Sequence, residues 1–110
     1  MANTLNKVPG VTYAATPAFP RYNDAMVLGT AAAESWTAPA QCSWVIIEPT
    51  AAVWADIVTT AVVPTTEIAN GSAPVRISTA FQIRVAAGEV ISFIREGASS
   101  VSVSIAVYSD

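Results

Sequence analysis

Side-chain branching constrains this chain more than any other feature. Valine and isoleucine together number 23 of 110 residues, leucine only 2, and 11 threonines bring the β-branched total to 34. Two heavy atoms on Cβ restrict χ1, which penalises a helix and suits a pleated strand. An all-β domain is therefore expected. The one helical run, Ala31-Ala32-Ala33-Glu34, is too short to stand alone and is soon followed by Pro39. A chain of 110 residues can bury about two-thirds of its unfolded surface, enough for one core without disulfides or metal.

Composition then removes whole classes of function. With 53% hydrophobic and 12% charged residues, the chain is neither disordered nor well supplied with charge to solvate a free monomer. There is no histidine, and so no imidazole base or metal ligand. The single cysteine, Cys42, excludes an internal disulfide and a thiolate zinc cluster, and beside an apolar strand it reads as an inert core residue. Lys7, Arg21, Arg76, Arg84 and Arg95 are scattered under a net charge of −3, which does not suit a nucleic-acid partner. No apolar run approaches the roughly 20 residues that span a bilayer, and nothing resembles a signal peptide. No membrane partner is expected, and folding in a reducing cytoplasm is.

Catalytic patterns are missing as well. No Gly-x-Ser-x-Gly elbow, phosphate loop or dinucleotide fingerprint occurs. Glu48 and Asp56, on strands expected to be adjacent, are the one pair that could flank a glycosidic bond, but solvated rim positions are the plainer reading. Asn70-Gly71-Ser72 matches a glycosylation sequon and reads more simply as a turn. No catalytic, metal-binding or cofactor-binding residue is assigned, no cofactor is expected, and the chain is read as a non-enzyme.

Two regions are expected. Residues 1–24 form an extended arm punctuated by Pro9, Pro17 and Pro20. Tyr13, Phe19 and Tyr22 put three aromatics into ten residues, unlike a disordered tail, so the arm should dock on this body or a neighbour. Residues 25–110 form a sandwich of about eight antiparallel strands. The strands read from the sequence are 25–29, 33–37, 42–48, 52–58, 81–85, 90–94 and 101–107, with 64–74 as loop. Pro49-Thr50-Ala51 looks like the turn of a hairpin. Residues 90–94 are almost continuously apolar, as in a strand covered on both faces. A weak echo at an offset of 47 residues relates Trp36-Thr37-Ala38-Pro39-Ala40-Gln41 to Ile83-Arg84-Val85-Ala86-Ala87-Gly88. Each half would run strand, corner, strand, hairpin, strand, which gives two sheets with Greek-key wiring.

Alternation nominates Val45, Ile47, Val53, Ile57, Phe81, Ile83, Val85, Ile91, Phe93, Val103 and Ile105 as core. A charge at Ile83 should then prevent folding. Trp36, Trp44 and Trp54 are read as core or subunit interface. Trp44 and Trp54, on the two arms of the expected hairpin, could alternatively form a sugar-stacking platform.

The strings Ser43-Trp44-Val45-Ile46-Ile47-Glu48-Pro49-Thr50-Ala51, Phe81-Gln82-Ile83-Arg84-Val85-Ala86-Ala87-Gly88-Glu89-Val90-Ile91-Ser92 and Ser99-Ser100-Val101-Ser102-Val103-Ser104-Ile105 resemble small phage virion proteins of about a hundred residues. Some of these are jelly-roll cement, or decoration, proteins that sit as trimers on capsid shells. Ala86 departs from the commoner pattern, which has proline there. The resemblance implies a jelly-roll sandwich, a homo-oligomer, trimeric as in that family, and a place on the capsid surface after synthesis in the host cytoplasm. The partner it implies is the major capsid protein, bridged and stabilised by this chain. Tyr13, Phe19, Arg21 and Tyr22 of the arm become the expected partner-binding residues. The alternatives are a phage tail or fibre attachment module that binds carbohydrate or another virion protein, and a cupin-like enzyme, which the missing histidines disfavour.

Overall fold

The structure, a computed structural model, describes residues 19–109. These residues contain eight strands and no helix: β1 (Tyr22–Leu28), β2 (Glu34–Thr37), β3 (Trp44–Pro49), β4 (Val53–Asp56), β5 (Val75–Ile77), β6 (Phe81–Arg84), β7 (Val90–Arg95) and β8 (Val101–Tyr108). They make two antiparallel four-stranded sheets packed as a β-sandwich. The first sheet has the order β1-β8-β3-β6 and the second β2-β7-β4-β5. Residues 22–24, read from the sequence as the end of the arm, are the first residues of β1 and pair with β8. The short β5, directly after Pro74, was not among the strands read from the sequence.

Only β4 and β5 are both consecutive in the chain and hydrogen-bonded neighbours; each of the other connections passes from one sheet to the other. This corrects the hairpin expected at Pro49-Thr50-Ala51. There the Thr50 N–H still donates to the Ser102 carbonyl at the start of β8 (2.9 Å), while the Ala52 carbonyl already accepts from the Glu96 N–H beyond β7 (3.2 Å). The chain changes sheets within two residues. Proline and small residues serve such a crossing as readily as a hairpin, so the local sequence does not separate the two.

The echo at 47 residues is present in the backbone at its corners. The Cys42 N–H donates to the Pro39 carbonyl (3.2 Å) and the Glu89 N–H to the Ala86 carbonyl (3.1 Å). Each turn has its third residue in the left-handed region, Gln41 at φ 68° and Gly88 at φ 85°. The two corners also bind each other, through Ala38 N–H to Glu89 carbonyl (2.8 Å) and Gly88 N–H to Ala38 carbonyl (3.0 Å). The Glu89 carboxylate closes its own turn by accepting from the Ala86 N–H (2.8 Å).

The core lies between the sheets. Val45, Ile47, Val53, Val85, Ile91, Phe93, Val103 and Ile105 are buried as expected, joined by Leu28, Trp36, Ile77 and Val101. Phe81 is partly buried against this cluster. Two expected core residues are not buried: Ile57 is 42% exposed and Ile83 37%. Ile57 follows the end of β4, where the Asp56 carboxylate accepts from the Val58 N–H (2.8 Å) and Thr59 N–H (3.1 Å) and turns the chain away. Ile83 pairs with buried Val45 and so faces inward, but β6 is the outermost strand of its sheet and leaves the residue at an open side. β7 is covered on its outer face at Ser92 alone, which is buried and accepts from the Ala61 N–H through its hydroxyl (2.9 Å), whereas Val90 on the same face is 43% exposed, so the cover expected over the whole of 90–94 is only partial.

Candidate interaction surface

Of the residues assigned to partner binding, Tyr13 lies outside the described residues. Phe19 is 92% exposed, Arg21 is exposed, and Tyr22 opens β1 half-exposed opposite Val107. Pairing continues from Val107 to Val45 and on to Ile83, so Tyr22 and Ile83 end the same row on opposite edges of the first sheet.

The three tryptophans separate. Trp36 is buried, and its indole N–H donates to the Asp24 carboxylate (2.7 Å), tying β2 of one sheet to β1 of the other. Trp44 lies on the outer face of the first sheet and stacks on Tyr108, with centroids 4.2 Å apart and planes at 11°. Trp54 lies on the outer face of the second sheet and donates to Glu96 (3.1 Å), which also takes a two-pronged contact from Arg76 (2.6 and 3.0 Å). Trp44 and Trp54 therefore occupy opposite faces of the sandwich, and the platform imagined for them is not built.

What the structure builds instead is an apolar cleft of about 380 Å³ where β4 and β5 of one sheet face β6 of the other. Ile57, Val75, Ile77, Phe81 and Ile83 supply its greasy wall. Apolar alternation in the sequence marks a side chain that faces inward and does not say whether the opposite sheet reaches over it. Across the turn 57–59 lies a second, more polar hollow of about 390 Å³, bordered by Glu34, Thr60 and Val90.

The cleft offers apolar contact. Its one charged lining residue, Asp56, has its carboxyl held below the ordinary range chiefly by the Val58 N–H, with burial opposing and the Thr59 N–H and hydroxyl adding to the lowering. Glu96 is also held below its ordinary range, first by its hydrogen bonds from Arg76. The carboxylates of Asp24, Asp56, Glu89 and Glu96 thus serve turns and inter-strand ties. Cys42 is buried, and its thiol is pushed up by that burial and by the charge of Glu89, which lowers the thiolate fraction. Among the described residues no group of three or more Cys, Asp or Glu could hold a metal ion, and no helix is long and apolar enough to cross a membrane.

No known protein family, curated protein or solved structure matches the chain.

Proposed function

We propose that this chain is a structural virion protein, a cement or decoration protein that assembles as a homo-oligomer, a trimer by preference, and binds a phage shell by bridging subunits of the major capsid protein. The observation that carries this reading is apolar surface left open on a rigid sandwich. Phe19, Val27, Val58, Val62 and Val75 are each at least half exposed, and they accompany an apolar cleft. On a chain with only 12% charged residues, such surface favours association over a solvated monomer. The strand orders are read as jelly-roll wiring, with β1, β8, β3 and β6 facing β2, β7, β4 and β5. Residues ahead of β1 are read as an extended, proline-containing arm, in which Tyr13, Phe19, Arg21 and Tyr22 meet the partner. Aromatic anchors and a forked guanidinium supply the contact, and prolines reduce the entropy lost on docking.

Sedimentation of the full chain at micromolar concentration, alone and with purified capsid shells, tests this. An oligomer that co-sediments with shells is expected. A monomer that ignores them overturns the proposal. The carbohydrate-binding alternative loses its platform with the separation of Trp44 from Trp54, and binding on a glycan array would restore it.

A further inference from the structure

We propose that the cleft between β4–β5 and β6 is the acceptor for residues 8–13 of a second copy of this chain, with Val11 and Tyr13 seated in it; this rests on the reading of the protein as a homo-oligomer. Val11 and Tyr13 stand two residues apart, so an extended backbone presents both on one face about 7 Å apart. The wall they would meet is apolar, formed by Ile57, Val75, Ile77, Phe81 and Ile83. The cleft also lies between the outermost strands of the two sheets, β5 and β6. Edge strands carry backbone donors and acceptors without a strand partner on one side, which an extended segment can use.

Three observations choose the occupant. Residues 14–18 link Tyr13 to Phe19, where the described part of the chain begins, a reach of up to about 20 Å when extended, so a neighbouring copy that brings its cleft within that distance can take the segment. At the body end, Phe19, the first described residue, is 92% exposed and does not pack on the sandwich. Charge agrees, since residues 1–18 carry Lys7 and no acidic residue, leaving four basic and eight acidic residues in the remainder. A basic leader is drawn to an acidic body, and Asp56 stands on the cleft wall.

The test uses the full-length protein. Chains with isotope-labelled Ile and Val methyls are unfolded and refolded with an equal amount of unlabelled chain, and isotope-filtered spectra record contacts between copies. Cross-peaks from the Ile57, Ile77 and Ile83 methyls to tyrosine ring protons of the unlabelled copy are expected, and Tyr13→Ser should abolish them while leaving the Val103 and Ile105 core signals in place. Cross-peaks that survive Tyr13→Ser, or that occur only within one chain, overturn the proposal. Sedimentation of the same sample separates the two readings. An oligomer without these cross-peaks overturns the cleft assignment alone, and a monomer without them overturns the homo-oligomer with it.

Discussion

The two flanks of the sandwich are built from the same kind of sequence and end differently. At the β1/β2 flank, Leu28 and Trp36 are buried and the Trp36–Asp24 hydrogen bond ties one sheet to the other. At the β5/β6 flank, equally apolar residues face inward across a cleft of about 380 Å³. The closed flank has a large indole to fill the gap and a carboxylate to satisfy its N–H. The open flank has a three-residue β5 and a four-residue β6, and Val75, Phe81 and Ile83 there leave the space between the sheets unfilled. Closure of a sandwich edge thus depends on side-chain reach as well as hydrophobicity.

The largest expected effect separates the flanks directly. Leu28→Ala should lose about 2–5 kcal/mol of stability in urea unfolding, because it empties a closed site. Ile83→Ala should lose only about 1 kcal/mol, because part of that side chain already meets water. Ile83→Asp should remain soluble and melt cooperatively, contrary to the expectation from alternation alone. Equal losses at Leu28 and Ile83 would erase the distinction between the flanks.

Next in size is the polar tie. Asp24→Ala leaves the buried indole N–H of Trp36 without its acceptor, and about 1–3 kcal/mol should be lost. Asp24→Asn keeps an acceptor oxygen and should lose less. If Asp24→Ala melts like the parent protein, the tie does not hold the flank shut.

The corners that leave the two flanks offer a smaller test. Gln41, after β2, and Gly88, after β6, both have positive φ. A Cβ at Gly88 would meet nothing within 4 Å, so only backbone strain opposes it. Gly88→Ala should therefore cost about 1 kcal/mol, and Gln41→Gly should gain up to about 1 kcal/mol by relieving the same strain. Thermal melts of the two variants should move in opposite directions.

The smallest effect is acid sensitivity, which belongs to the open flank. Asp56 and Glu96 have folded-state pKa values below their ordinary ones, so they bind protons less readily when folded. Their contribution is complete above the ordinary carboxylate range, about pH 4, and is lost as pH falls through that range toward the lowered values. Glu96 is exposed and Asp56 partly so, and solvent screens the contribution. Asp56→Asn with Glu96→Gln should flatten the loss of stability on acidification, measured as melting temperature against pH. An unchanged slope would assign the acid response to other carboxylates.

Legibility followed how local each cause is. Alternation at 101–107 located β8 closely, since Val101, Val103 and Ile105 are all buried. The continuous apolar run at 90–94 located β7, but its outer face is covered only at Ser92, under Ala61, while Val90 is exposed. The corner echo was visible because turn geometry is set by a few adjacent residues. The cleft was not, because Ile57 and Ile83 carry the same local signal as Ile47; what distinguishes them is the turn closed by Asp56 after β4 for Ile57 and the absence of a strand beyond β6 for Ile83.

The sequence by itself determined that this is an all-β protein, where most strands run and which face of them is apolar. These follow from χ1 restriction and the two-residue period of a strand, both properties of neighbouring residues. Tertiary structure alone decided that Pro49-Thr50-Ala51 crosses between sheets, that Trp44 and Trp54 stand on opposite faces, and that one flank closes around Trp36 while the other stays open. Each of these depends on which distant strand supplies the hydrogen bonds. That choice is made by packing two whole sheets together, and no short stretch of the chain encodes it.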